Sequence, residues 1–261
     1  MGQLADAARA FFPVASRLRA AREAPDASPP PRSDFGRRLL GEPPDRRLAA
    51  CFDLFVYWLA CADERPEPKE RARLLAADPR ELGRRESAKR AAWAEDVHAF
   101  ADAVHATIDA AGRDRRAQLL ELLLLVRFCE GERGGAENLV VRFLADVLGV
   151  RGAELDRLYR DASGTAPERL PRLDPDDWWL TPADDDEPSV SDEGARHRRR
   201  LGLAQSGPIE AALVDACFER RLALADPSRF DRLGAHERRV AGRLRTRLVE
   251  ARDALSEEVM A

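Results

Sequence analysis

Two long apolar segments place the strongest constraint on how this chain folds. Residues 48–62 and 119–129 are almost wholly apolar, and only Glu121 and Arg127 interrupt the second segment. A helix with apolar residues on every side is stable only when other elements surround it. Since the pattern from residue 45 to residue 161 is helical almost throughout, we predict an all-α protein in which these two segments are the central helices of a bundle.

The same two segments belong to an internal repeat. Asp63 follows the first apolar helix, and Glu70 comes seven residues later; Glu130 and Glu137 stand in the same relation to the second helix. Each copy consists of an apolar helix, a polar turn and a further helix, predicted at residues 71–77 and 138–148. Self-similarity of this kind indicates a repeated architectural unit.

This repeat resembles the TerB family of tellurite-resistance and stress-related helical domains, whose two pseudo-repeats each carry an Ala-Asp-Gly turn followed by a glutamate. The resemblance covers residues 45–161 and implies a TerB-like bundle. It places Asp63, Glu70, Glu130 and Glu137 at the family's acidic positions, which are linked with divalent metal binding there. Acids near a helix N-terminus are also favoured by capping and by the helix dipole, so a metal site and simple capping both remain open.

A second pattern of metal-ligating residue types lies between the repeats. Residues 87–111 are predicted to form one amphipathic helix. On one side of it His98, Asp102, His105 and Asp109 follow one another at steps of four, three and four. Such spacing is able to place imidazoles and carboxylates around a metal. The alternative, which we favour, is a solvated polar face, because one helix face rarely completes a metal site.

The last quarter of the chain predicts an antiparallel helical hairpin. Its first arm is expected from Pro208, a residue suited to a first helical turn, to about Ala225. The second arm carries apolar residues at steps of four and three from Val240 to Val259. The polar turn at residues 226–230 joins the two arms, and two such stripes joined by a short loop pack against each other.

In its frame this segment resembles the J-domain, the co-chaperone module of the DnaJ family. That family has a short first helix that ends in a Leu-Gly-hydrophobic step, as in Leu201-Gly202-Leu203. Its second helix carries an aromatic residue eight positions before the loop, and Phe218 stands there. Its third helix ends in an Ala-aromatic-x-x-Leu-Ser pattern; residues 251–256 match it except that Arg252 replaces the aromatic residue.

The loop departs from the family at its chemical centre. Where J-domains have His-Pro-Asp, this chain has Asp226, Pro227 and Ser228, so both the basic ring and the final carboxylate are absent. In the family, this tripeptide triggers ATP hydrolysis by a DnaK-type chaperone. The resemblance implies that these three residues, with Arg220 and Arg221 on the preceding helix, face a protein partner. A solvated surface is the alternative for the two arginines.

Two further segments are predicted to be linkers. Residues 1–44 are expected to hold a helix at 4–22 followed by an extended proline-rich stretch, and residues 162–195 are an acidic linker. Between residues 161 and 193 the net charge is −9, whereas residues 194–261 carry +4. Within the acidic stretch, Trp178 and Trp179 are either a docking anchor for a partner or pack on this chain's own bundle.

Composition excludes several classes of protein. With 34% charged residues, a net charge of −4 and a mean hydropathy of −0.45, we expect no attraction to nucleic acid. No stretch of 18 apolar residues and no signal peptide is found, so we expect a cytoplasmic protein without a membrane span. The four cysteines are expected to be buried free thiols. No nucleophile-base set, phosphate-binding loop or nucleotide fingerprint occurs, so we expect no enzyme and no cofactor other than the divalent metal considered above.

These expectations define four segments: residues 1–44, a TerB-like bundle at 45–161, the acidic linker at 162–195, and a J-like segment at 196–261. The order is similar to that of DjlA-type co-chaperones, without their membrane anchor. We expect a non-enzymatic interaction or scaffold protein in a chaperone or stress context, with a DnaK-type chaperone or its clients as partner. The alternatives are a TerB-like metal-responsive stress module and a functional co-chaperone with an atypical loop.

Overall fold

The computed structural model describes residues 31–63, 68–130, 135–150, 152–164, 193–204 and 207–260. In these ranges the chain is all-α, as predicted, with one 3-10 turn and no strand. The helices are α1 Asp34–Leu39, α2 Pro44–Asp63, α3 Pro68–Ala76, α4 Arg84–Trp93, α5 Val97–Ala110, α6 Arg113–Glu130, α7 Gly135–Leu148, α8 Ala153–Ser163, α9 Glu193–Leu201, α10 Ala211–Leu224 and α11 Ala235–Met260, with the 3-10 turn at Pro227–Phe230.

The described residues form two compact units. The first contains residues 31–116 and 135–150, and the second contains 117–130, 152–164 and the residues from 193 onwards. These units do not coincide with the predicted segments, because residues 117–130 and 152–164 group with the C-terminal helices. The units are defined by contacts and the predicted segments by sequence pattern, so the segment limits stay a prediction.

In the first unit, α2 is the central helix. Its apolar side chains are buried from Leu48 to Leu59, apart from two half-buried positions. The helices α4, α5 and α7 pack against it. Four aromatic rings join α2, α5 and α7. The ring of Phe100 lies 5.5 Å from Phe55, 4.8 Å from Trp58 and 5.9 Å from Phe143. Pairs at such distances stabilise a core beyond the apolar area that they bury.

In the second unit, residues 119–129 of α6 are buried at every position, as the apolar pattern predicts. The edge of the Tyr159 ring on α8 meets Phe128, with centroids 5.0 Å apart. The helices α9, α10 and α11 pack against one another, and the 3-10 turn packs on α11. Both apolar segments are therefore interior helices of their own units.

The helix boundaries follow the internal repeat. The apolar helices end at Asp63 and Glu130, and the helices after them begin at Pro68 and Gly135, so both pairs of boundaries are 67 residues apart. The two following helices differ in length, at 9 and 14 residues. Repetition in the sequence is thus matched by repetition in the helix boundaries.

The prediction of one continuous helix at residues 87–111 is wrong, because the structure has two helices there. The chain leaves the helical conformation at Glu95, which has φ +53°, and α5 starts after Asp96. The carboxylate of Asp96 accepts hydrogen bonds from the backbone N–H groups of His98 and Ala99, both at 3.0 Å. An aspartate that caps a new helix explains the break within an otherwise continuous apolar pattern.

The extended linker predicted up to residue 44 is also wrong in part, because it contains α1. Phe35 and Leu39 of this helix are 4% and 5% exposed. The hydroxyl of Ser33 accepts a hydrogen bond from the N–H of Gly36 and donates one to Asp102 on α5, at 2.6 Å. Asp102 also accepts from the N–H of Ser33 at 2.9 Å. A carboxylate on another helix therefore fixes this short helix, which has too few residues to show a period in the sequence.

Other expectations have mixed outcomes. The first hairpin arm begins at Ala211 rather than Pro208, with Glu210 as its N-cap. Cys51 and Cys129 are buried free thiols and Cys217 is half-buried. The predicted helix at 4–22 lies outside the described residues. Within the described residues, no helix is long and apolar enough to span a membrane.

Gly36 should tolerate no side chain, because a Cβ atom there would lie 2.1 Å from the Asp102 Oδ2 atom. We expect Gly36→Ala to displace Asp102, to break its bonds to Ser33 and to lower the free energy of unfolding by about 1 to 3 kcal/mol. Gly41→Ala is the matched control, because a Cβ atom there meets nothing within 4 Å. Urea denaturation measures both variants, and an equal effect of the two would contradict this account of α1.

Candidate functional site

The two C-terminal arms form an antiparallel hairpin. Near the loop, Arg245 on α11 donates to the carbonyl oxygen of Leu222 on α10 at 3.1 Å. Near the open end, Arg252 pairs with Asp215 at 3.1 Å. The second contact lies seven residues later on α11 and seven residues earlier on α10, so the two helices run antiparallel. Val214, Leu244 and Leu248 are each at most 1% exposed and lie in the hairpin core.

A cation from α11 lies over the aromatic residue of α10. Phe218 is 6% exposed, and the guanidinium of Arg252 lies 5.2 Å from its ring centroid. Arg252 itself stands at the position of α11 where the J-domain resemblance expects an aromatic residue. A guanidinium over an aromatic face is attracted by the ring quadrupole. This contact, together with the Asp215 ion pair, joins the two arms at that level.

The helix α9 ends in a turn that requires glycine. Gly202 has φ +77°; its N–H donates to the Arg199 carbonyl at 2.8 Å, and the N–H of Leu203 donates to the Arg198 carbonyl at 2.9 Å. This pair of bonds is a Schellman cap. A Cβ atom on Gly202 would also lie 2.7 Å from the buried Arg221 side chain on α10. The glycine therefore both ends the helix and admits the close approach of Arg221.

At the tip of the hairpin, Asp226 organises the 3-10 turn. Its carboxylate accepts from the N–H of Ser228 at 2.9 Å and from the Ser228 hydroxyl at 2.8 Å. These hydrogen bonds, with the nearby charges of Arg245 and Arg229, hold the pKa of Asp226 below its usual value. The loop therefore presents a carboxylate that is ionised at neutral pH and is used in capping the turn.

The tip is also bound to α6 of the same unit. The guanidinium of Arg229 pairs with Glu121 at 2.5 Å, and the Gln118 side chain donates to the Arg229 carbonyl at 2.9 Å. The Glu121 side chain is 10% exposed, whereas Arg229 is 37% exposed. Burial raises the pKa of Glu121 from its ordinary value near 4.5, although the charge of Arg229 opposes this shift. The residue after the tripeptide is thus held by a desolvated carboxylate.

The structure separates the two arginines predicted to face a partner. Arg220 is exposed, donates to the Arg160 carbonyl at 3.2 Å and lies 3.8 Å from Asp161 on α8. Arg221 is only 2% exposed, and it donates to the Cys129 sulfur at 3.7 Å. Arg221 therefore belongs to the interior of the second unit, and the accessible residues of the predicted set are Arg220, Asp226, Pro227 and Ser228.

The acids implied by the TerB resemblance give no assembled metal site in the described residues, where no group of three ligating side chains is found. Glu70 pairs with the ammonium of Lys89 at 2.5 Å. Asp63, Glu130 and Glu137 lie in helices, but their side chains are outside the described residues. The metal hypothesis therefore stays a prediction for these three acids.

The polar residues of the predicted helix at 87–111 have separate roles. Asp102 is buried and binds Ser33, the N-cap residue of α1, so it is not part of the solvated face that we expected. His98 and Asp109 are exposed, and His105 is half-buried. Trp178 and Trp179, predicted either to be a docking anchor or to pack on this chain's own bundle, lie outside the described residues.

Sequence reasoning missed the residues that hold the tip. Glu121 is one of two charged residues in the apolar segment at 119–129. A charge within a segment that is expected to be buried indicates that it has a partner. The partner, Arg229, is 108 positions away. No periodic pattern connects two such residues, so only the tertiary structure shows their contact.

The fold and this site define an all-α protein with a C-terminal helical hairpin whose tip is bound internally. Comparison of the chain with models of known protein families, with curated proteins and with solved structures finds no match. The TerB and J-domain resemblances accordingly rest on the residues quoted for them.

Because the pKa of Glu121 is higher in the folded state than its ordinary value, ionisation of this group opposes folding. The neutral Glu121 side chain makes its full contribution to the free energy of unfolding below about pH 4.5, and this contribution is lost as the pH rises through the raised pKa. We therefore expect Glu121→Gln to be more stable than the parent chain at pH 8, and expect this advantage to vanish near pH 4. Thermal denaturation over that pH range measures the difference.

Arg229→Gln should act in the opposite direction, because it leaves the Glu121 carboxylate buried without its counter-charge. The expected loss at pH 8 is about 1.5 to 3 kcal/mol, and it should shrink when Glu121 is protonated. Arg239→Gln, an exposed arginine on α11, is the matched control. If the double variant Glu121→Gln/Arg229→Gln were no more stable than Arg229→Gln, the unpaired Glu121 carboxylate would not be the cause of the lost stability.

Proposed function

We propose that this chain is a non-enzymatic interaction protein of the J-protein class that lacks the ATPase trigger. It acts as a scaffold or modulator in a chaperone or stress context in the cytoplasm, and binds a DnaK-type chaperone or its clients rather than nucleic acid. The observation that carries the proposal is the antiparallel pair α10 and α11 with α9 packed on both arms. A helical hairpin with a preceding short helix is the frame that the J-domain resemblance implies.

Three local features support this frame. Gly202 ends α9 at the Leu-Gly-hydrophobic step. Phe218 is buried between the arms, at the aromatic position of the second helix. A 3-10 turn stands where the family has its tripeptide loop, so Asp226, Pro227 and Ser228 lie at the end of the hairpin that a J-domain presents to its partner.

The chemistry of the tip supports the loss of the trigger. A neutral or cationic imidazole is replaced by the Asp226 carboxylate, whose oxygen accepts two bonds from Ser228. A partner surface that complements His-Pro-Asp would meet a charge of the wrong sign at the first position and a hydroxyl at the third. Hydrogen bonds to charged groups contribute about 1.5 to 3 kcal/mol each, so losing two removes most of the coupling.

An ATPase assay with a DnaK-type chaperone tests this directly. We expect the parent chain to give no stimulation. In the double variant Asp226→His/Ser228→Asp, which restores His-Pro-Asp around Pro227, we expect several-fold stimulation. Stimulation by the parent chain would show a functional co-chaperone with an atypical loop. A double variant that folds and still fails to stimulate would remove the support for the J-like frame.

Binding is measured separately, because it does not require the trigger. Arg220 is the accessible arginine beside the loop, and its side chain is 51% exposed. We expect Arg220→Glu to weaken binding to the chaperone about tenfold, since like charges then meet at the interface. The control is Arg243→Glu, which makes the same reversal at an exposed site on α11. Equal affinity of both variants for the chaperone would show that this face of the hairpin is not the binding surface.

A further inference from the structure

The first unit contains a groove that the hairpin proposal does not use. It lies between α1, the first turns of α2 and the start of α4, and its volume is about 230 Å³. Phe35, Leu39 and Ala50 form an apolar floor, and each is at most 5% exposed. The rim is polar. The groove therefore offers an apolar surface bordered by charge within one compact unit.

Three arginines lie on the rim. Arg38 is fixed, because its terminal nitrogens donate to the carbonyl oxygens of Pro79 at 2.7 Å and Leu82 at 2.6 Å. Both of these acceptors are uncharged, so they leave the charge of Arg38 in place. A guanidinium held in this way is preorganised for an anion, because its rotamer entropy is already lost.

The other two arginines have acidic neighbours. Arg84 pairs with the buried Asp53 at 3.2 Å. Arg46 lies 3.9 Å from Glu42, and its side chain is 74% exposed. The residues that line the groove carry three guanidiniums and one carboxylate, that of Glu42, so the rim has a net positive charge.

A hydroxyl group lies between the floor and the rim. Ser87 lines the groove and is 9% exposed. A hydroxyl group in this position is able to donate to an acceptor oxygen of a bound molecule.

The size of the groove limits the ligand. Pockets for drug-sized molecules usually measure about 300 to 1,000 Å³, so this groove suits a smaller molecule with about ten non-hydrogen atoms. We propose that the groove binds a small amphipathic carboxylate. Its apolar portion covers Phe35, Leu39 and Ala50, and its carboxylate accepts from Ser87 and pairs with the rim arginines. This proposal does not rest on the hairpin function.

Isothermal titration of the full chain with octanoate tests the proposal, and octanamide serves as the neutral analogue. We expect octanoate to bind at least about tenfold more tightly than octanamide, since charge-assisted hydrogen bonds are roughly twice as strong as neutral ones. No octanoate binding at about 10 mM, near the weak end for a ligand of this size, would overturn the proposal. Equal affinity for the two molecules would overturn it as well.

Two substitutions locate the binding. Arg46→Gln and Ser87→Ala change side chains that line the groove, and each should weaken octanoate binding about fivefold to tenfold. Lys69→Gln on α3, outside the groove, removes one exposed positive charge and should have no effect. If Arg46→Gln and Ser87→Ala bind octanoate as the parent does while their melting temperatures are unchanged, the groove is not the site.

Discussion

Burial of two helices that are apolar on every side is the constraint on which the rest of this structure depends. Residues 48–55 of α2 and residues 119–129 of α6 are buried at every position. Each of these stretches therefore requires neighbours around its whole circumference. The remaining helices supply those neighbours. In the first unit this explains why α4, α5 and α7 all pack on α2.

Such interiors leave few positions for charge, and the chain uses two of them to fix distant segments. Asp102 receives hydrogen bonds from the backbone and hydroxyl of Ser33, so α1 is held at its N-cap residue. Glu121 receives the guanidinium of Arg229. Burial raises the pKa of Glu121 because the nearby positive charges do not fully compensate for its lost hydration. A buried acid in an apolar helix here marks an attachment point.

The hairpin is held together along its arms and at its tip. Its arms are joined by apolar residues and by Arg252, which both pairs with Asp215 and covers Phe218. Its loop is ordered by Asp226 and attached to α6 through Arg229. The loop is therefore held both by its own carboxylate and by a neighbouring helix.

The sequence alone determined the class of fold and most of its helices. Apolar periodicity shows where a helix exists and which of its faces is buried, so it predicts α2, α6 and the two hairpin arms. Repetition of the apolar helix and its acidic turn is likewise a property of the sequence, and the helix boundaries repeat at the same offset. The polar tip with Asp226, Pro227 and Ser228 is visible in the sequence because the turn chemistry is local.

Only the tertiary structure decided how polar residues are used. No periodic pattern records the break at Glu95, the bonds of Asp102 to Ser33, the burial of Arg221 or the contact of Arg229 with Glu121. Asp102 and Ser33 are 69 residues apart, and Glu121 and Arg229 are 108 residues apart. A local pattern records whether a side chain is able to be buried, whereas the partner that makes burial of a charge favourable is chosen by the packing of the whole unit.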